Sequence, residues 1–252
     1  KVAFINLLPN YATAGQLGTA TYPDYLDKFA DGCAPTIYCY DHYALLDNGT
    51  LRSEYWANLE AMRTASIKHK IPFWNTVLSC AHFSYREPTA ADFLFQAYTT
   101  LAYGGRGLAY FKYFAPEVGN DRASPIDQFG HQTPTYGRLR RANLEVLKLA
   151  PTILKLTSTK VYHFSKTPGC SLPPADRLLS SAGGADFMAG EFRHEDGSTY
   201  VMIVNKDVTH SAPVSPQFRK PVKKIQMVSP YSGKLIDFNG EQGWLAPGQG
   251  VL

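Results

Sequence analysis

The chain has 252 residues, 44% hydrophobic and 18% charged, which is material for one large or two smaller cores and unlike the composition of a disordered chain. Its 25 basic and 21 acidic residues leave a formal charge of +4, with no basic run longer than Lys223-Lys224 or Arg140-Arg141, so a nucleic-acid partner, which needs Lys and Arg concentrated on one face, is not expected, and neither is a membrane partner. Four scattered cysteines, Cys33, Cys39, Cys80 and Cys170, form neither a disulfide framework nor a zinc motif.

Cys39 and Cys80 lie in apolar, strand-like contexts and read as buried free thiols. The chain begins on an apolar run without an initiator Met or a signal peptide. This leaves the compartment open, with a secreted or periplasmic full-length protein as the working expectation.

Val2 to Leu8 reads as a buried strand, followed by a loop from Pro9 to Thr21. Tyr22, Tyr25, Leu26 and Phe29 then fall on one face of a helix from Tyr22 to Ala30, with Thr21 as its N-cap. Thr36 to Tyr43 is a second strand, short and aromatic, ending in polar groups. A long helix from Ser53 to about Lys70 is striped by Tyr55, Leu59, Met62 and Ile67, and Pro72 stops it before a strand at Phe73 to Leu78. Pro88-Thr89 opens another helix through Tyr103, which Gly104-Gly105 terminates. Gly107 to Phe114 is a fourth strand, and after a Pro-, Gly- and Asp-rich loop a helix runs from Thr135 to about Leu156.

Strict strand-then-helix alternation predicts a parallel sheet with right-handed helical crossovers. No Gly-rich phosphate fingerprint follows any strand, since Gly104-Gly-Arg-Gly107 ends a helix instead. Four such units are half of a (β/α)₈ TIM barrel. From Ser158 the period changes to two: Lys160–Phe164, Phe187–Phe192, Thr199–Val204 and Lys224–Val228 are short strands separated by turns such as Glu195-Asp-Gly197 and Tyr231-Ser-Gly233. The expected fold class is therefore α/β plus all-β, with a half barrel over residues 1–157 and a small antiparallel β-sandwich over 158–252.

The segments Phe4-Ile-Asn-Leu-Leu-Pro-Asn10, Leu17-Gly-Thr-Ala-Thr-Tyr22, Tyr40-Asp-His-Tyr43, Pro72-Phe-Trp74, Tyr98-Thr-Thr-Leu-Ala-Tyr-Gly104 and Tyr110-Phe-Lys-Tyr-Phe114 resemble the second half of a group of bacterial glycoside hydrolases. These are similar to the clan of barrel β-galactosidases and cellulases, with a β-sandwich after the barrel, and the closing stretch Trp244 to Leu252 resembles a final sandwich strand. The resemblance implies that the four strands are the fifth to the eighth of a barrel. It also implies a general acid/base Glu in an Asp-Glu-Pro motif on the fourth strand and a nucleophile Glu at the end of the seventh. This sequence contains no Asp-Glu-Pro, and its strand Phe73–Leu78 ends in Leu78-Ser79-Cys80 without a carboxylate. The two-Glu retaining mechanism is therefore not carried over, and the acid is expected upstream.

Catalytic carboxylates sit at the C-terminal ends of barrel strands, where Asp41 is the candidate; the plainer alternative is a turn cap or an Arg partner. Glu87, just before Pro88-Thr89, is a second candidate, or simply a carboxylate favoured by a helix N-terminus. Glu117 and Asp121 read as solvated loop residues. Sugars are held by aromatic faces and polar groups, so Tyr43, Asn75, His82, Tyr85, Lys112 and Tyr113 are expected substrate contacts. Trp74 is expected in the core, and His42 should point away from Asp41. No cofactor and no metal site are expected. The partner is a carbohydrate, and the open edges of a half barrel predict pairing with a second copy or with the missing N-terminal half.

Overall fold

The computed structural model describes residues 3–165, 167, 170–240 and 243–252. In chain order it contains β1 (Asn6–Leu7), α1 (Ala14–Leu17), α2 (Tyr22–Cys33), β2 (Tyr38–Asp41), α3 (Tyr55–His69), β3 (Phe73–Leu78), α4 (Ala90–Ala102), β4 (Gly107–Phe111) and α5 (Pro134–Ile153). The four strands form one parallel sheet in the order β1-β2-β3-β4. The expected βα units are all present.

Local chemistry sets the helix starts. Thr21 accepts a hydrogen bond from the Asp24 amide at the head of α2. Thr89 and Asp92 form a reciprocal capping box at the head of α4, and Arg86 pairs with the same Asp92 carboxylate at 2.6 Å. The predicted loop from Pro9 to Thr21 holds a short helix, α1, closed by a second box between Thr13 and Gln16.

The first strand is shorter than expected. Val2 lies outside the described residues, and Phe4 and Ile5 are about half exposed beside the two-residue β1. The fourth strand stops at Phe111, ahead of a cis Phe111–Lys112 peptide. No helix among the described residues is long and apolar enough to cross a membrane.

The C-terminal part adds β5 (Leu156–His163), β6 (Leu179–Ser181), β7 (Phe187–His194), β8 (Thr199–Asn205), β9 (Ala212–Pro213), β10 (Gln217–Phe218), β11 (Gln226–Val228), β12 (Leu235–Asp237), β13 (Trp244–Leu245) and β14 (Gly250–Val251). The central antiparallel sheet has the order β14-β8-β7-β5, with smaller antiparallel pairs β10-β6, β11-β12 and β13-β9 around it.

Period-two alternation explains why the residues of β7 and β8 are buried on both sides. Met188, Phe192, Met202 and Val204 join the large core that includes α3, α4 and α5. Phe187, Ala189 and Ile203 point the other way, to a second core with Leu179, Ala212, Val214 and Leu245.

Helix α4 lies between the parallel sheet and this antiparallel sheet, and every residue from Asp92 to Ala102 is buried. Two glycines permit the approach. A Cβ on Gly190 would stand 2.0 Å from the Ala102 carbonyl oxygen, and one on Gly248, whose φ is +73°, would stand 2.2 Å from that of Ala91. Gly190→Ala is therefore expected to destabilise the chain by about 1–3 kcal/mol, as overpacking does, measured by urea denaturation.

His163 is wedged beside α4, its Nε2 3.1 Å from the Tyr103 hydroxyl and its ring edge-on to Trp56. Burial pushes its pKa down to about 3, while in the unfolded chain it protonates near the ordinary value of about 6.5. The unfolded state thus binds the extra proton, so stability is full above about pH 6.5 and falls as pH drops toward the folded value. The urea midpoint should decline from pH 6.5 to pH 4, by up to about 1.4 kcal/mol per pH unit for each such histidine, and His163→Gln should flatten the slope.

Candidate functional site

Strand alternation divides the parallel sheet into two faces. Tyr38 donates its hydroxyl to the Leu26 carbonyl of α2, Asn75 donates to Thr100 Oγ1 of α4 at 2.8 Å, and Tyr110 donates to Asn143 of α5. Those side chains face the helices. On the opposite face Asn6, Cys39, Thr76 and Asp41 stand together: Thr76 donates to Asn6 Oδ1 at 3.3 Å, and the Cys39 sulfur lies 3.5 Å from Thr76 Oγ1.

This division corrects one expectation. Asn75 is fully buried against α4 and does not reach the mouth. Trp74, expected in the core, is the neighbour on the open side, half exposed and 6.0 Å from the Phe4 ring. Consecutive strand residues must point oppositely, and the helix-facing side took the amide because Thr100 satisfies it.

Asp41 ends β2 on the open face. The Tyr43 hydroxyl donates to its carboxylate, and the Asn6 side chain is a second partner. Burial outweighs these contacts and holds the Asp41 pKa above the ordinary carboxylate value. His42 points away, as expected, with Nδ1 3.0 Å from Asn58 Oδ1, and burial lowers its pKa to about 4.

Tyr43, His82 and Tyr85 come together after the strand ends. The Tyr43 ring centroid lies 5.3 Å from that of His82, 5.5 Å from Tyr85 and 5.3 Å from Phe111, with Tyr43 and His82 buried. Arg52 donates to the Tyr85 hydroxyl at 2.8 Å and stacks its guanidinium 4.4 Å from the centre of the Tyr11 ring. Lys112 is half exposed and pairs with Asp121 at 2.9 Å, and Tyr113 is exposed.

Glu87 is not brought to Asp41 by any contact of its own; Arg138 of α5 holds it at 2.8 Å, with the Glu87 side chain half exposed. Asp121, expected to be a solvated loop residue, instead turns inward to Lys112 and to the Cys80 thiol. Cys39 and Cys80 are buried free thiols, as expected.

Sequence reasoning missed Asn6, Thr76, Tyr11 and Arg52. The first two were accessible from alternation, since Asn6 is in register with Cys39 and Thr76 with Asp41. Tyr11 and Arg52 come from loops, where no period marks direction.

Two cavities lie away from Asp41. One of about 520 Å³ sits among Tyr200, Ile203, Phe218 and Phe238 in the antiparallel part, and one of about 770 Å³ among Arg63, Trp74, Arg106 and Ser158 at the start of the parallel strands. Neither includes Asp41.

A carboxylate whose pKa is raised in the fold binds its proton more tightly there than in the unfolded chain, so its ionisation costs stability as pH rises above the ordinary carboxylate value. Asp41→Asn is expected to melt at a higher temperature than the parent chain at pH 7, with the gap closing in acid. Differential scanning calorimetry at both pH values checks this.

No protein-family model matches the chain, and no curated protein matches it, which leaves the geometry at the ends of β1 to β4 as the ground for its function.

Proposed function

We propose that the chain is the C-terminal half of a (β/α)₈-barrel glycoside hydrolase with its β-sandwich appendage, acting on a poly- or oligosaccharide. The observation that carries this reading is Asp41: a desolvated carboxyl at the C-terminal end of a parallel strand, with Tyr43 and Asn6 as partners. A raised pKa makes the carboxylate a better proton acceptor, which is the role one of two carboxylates has in glycoside cleavage. The other, the leaving-group acid, belongs to the complementary half.

In this reading β1 to β4 are the fifth to eighth strands. β1 and β4 are the two ends of the parallel sheet, and a second barrel half or a second copy of the chain would pair there. Exposed Tyr11, Phe83 and Tyr113 in the loops after the strands offer flat faces for sugar rings, and Lys112 and Tyr85 offer polar contacts. Such a partition, with apolar faces against the ring and polar groups at its edge, is how carbohydrate sites combine affinity and orientation.

A non-catalytic carbohydrate-binding role is the second reading. It is favoured by Glu87, the second carboxylate candidate in this chain, being engaged by Arg138.

Turnover of chromogenic glycosides and soluble glucans separates the two. Hydrolysis that falls by about 10²–10⁴ in Asp41→Asn, with KM little changed, is the expected result for a proton-transferring carboxylate. Turnover unchanged from the parent chain in both Asp41→Asn and Asp41→Ala removes Asp41 from the mechanism. Calorimetric binding of oligosaccharides without product release selects the second reading.

A further inference from the structure

Beside the Asp41 face, the loops that follow β3 and β4 are zipped together. Ala81 and Arg122 exchange both backbone hydrogen bonds, at 2.9 and 2.8 Å. In an extended segment residues two apart project to the same side. Cys80 and His82 therefore leave the Ala81 backbone together, toward Asp121.

One ligand atom from each of Cys80, His82 and Asp121 lies within 4.8 Å of the others, and the first two residues are buried. The Cys80 sulfur is 3.9 Å from His82 Nδ1 and 3.7 Å from Asp121 Oδ1. A tetrahedral zinc centre with Zn–S of about 2.3 Å and Zn–N or Zn–O of about 2.0 Å holds its sulfur roughly 3.5 Å from the neighbouring donors. The observed separations exceed that by only a few tenths of an ångström.

Two surrounding contacts fit the same centre. Asp121 Oδ2, the oxygen turned away from the thiol, accepts from Lys112 at 2.9 Å, which orients the carboxylate and leaves Oδ1 to the cluster. Among the described residues the hydroxyl of Ser124, a residue 1% exposed, has no oxygen or nitrogen partner, and it lies against the Cys80 sulfur.

We propose that Cys80, His82 and Asp121 form a binding site for a zinc-class divalent cation, with Ser124 or water at the fourth position. A thiolate, an imidazole and a carboxylate are a borderline-soft donor set that suits Zn²⁺ and Co²⁺ and is poor for Mg²⁺ or Ca²⁺, which take oxygen. Cation binding displaces the thiol proton. It also places the His82 proton on Nε2, in exchange for the 3.2 Å contact between Nδ1 and the Cys80 carbonyl. The site does not depend on glycoside turnover, and its readout is binding.

The reduced, chelator-treated chain is titrated with Zn²⁺ by calorimetry and with Co²⁺ by absorption. The expected result is one equivalent of either ion, with a thiolate-to-cobalt charge-transfer band in the near ultraviolet and the visible bands of a tetrahedral centre. Cys80→Ser abolishes the charge-transfer band. Asp121→Asn, a change on a loop outside the hydrophobic cores, weakens binding at least about tenfold, so a Cys80 variant that fails to fold does not remove the test. Cys33→Ser, at an exposed thiol, leaves both readouts as in the parent. The absence of Co²⁺ and Zn²⁺ uptake by the folded parent, or a band that persists in Cys80→Ser or affinity unchanged in Asp121→Asn, overturns the assignment.

Discussion

The structure depends on the burial of α4 from two directions. A helix packed on a sheet ordinarily keeps one polar side to water, but here Asp92 to Ala102 are all buried. One side serves the parallel sheet, where Asn75 bonds Thr100 and the Leu78 amide and carbonyl bond Gln96. The other side meets β7, β8 and β14, with Gly190 and Gly248 removing the atoms that would hold the backbones apart. Polar groups inside such a helix must be matched in place, and those of Gln96, Thr99 and Thr100 are bonded to neighbouring backbone and side-chain groups. A single core thereby runs from the parallel sheet into the antiparallel one.

That arrangement determines which face of the parallel sheet is left for chemistry. With helices and the antiparallel sheet on one side, the face carrying Asn6, Cys39, Asp41, Trp74 and Thr76 is the side that the helices do not cover. The polar residues there bond to one another across strands rather than to the core. Asp41 is desolvated by its neighbours on this surface without being enclosed, which is why its pKa rises although Tyr43 and Asn6 stabilise the charge. The loops after β3 and β4 then bring Cys80, His82, Lys112 and Asp121 to the same end of the sheet.

Helices and central strands were legible because their signals are local. Thr21 caps α2 as its position predicted, α4 begins directly after Pro88-Thr89, and Phe73–Leu78 is a strand between the residues expected. Where the reading was poorer, the deciding contact was distant in sequence. Asn75 turned inward because Thr100, 25 residues later, receives its amide; Glu87 was claimed by Arg138, 51 residues on. Asp121 looked like a solvated loop residue because no pattern within a Pro- and Gly-rich loop announces that Lys112 and Cys80 will meet it.

By itself the sequence determined the order and type of the elements: alternating strands and helices to Ile153, then period-two strands, since periodicity, caps and breakers act over a few residues. It also placed Asp41 at a strand end. Only the tertiary structure decided which face each strand shows to the helices, that α4 is enclosed on both sides, and that Cys80, His82 and Asp121 converge. The physical reason is that side-chain direction follows from what each face packs against, and the partners of Asn75, Cys80 and Glu87 lie 25, 41 and 51 positions away, beyond the reach of any local pattern.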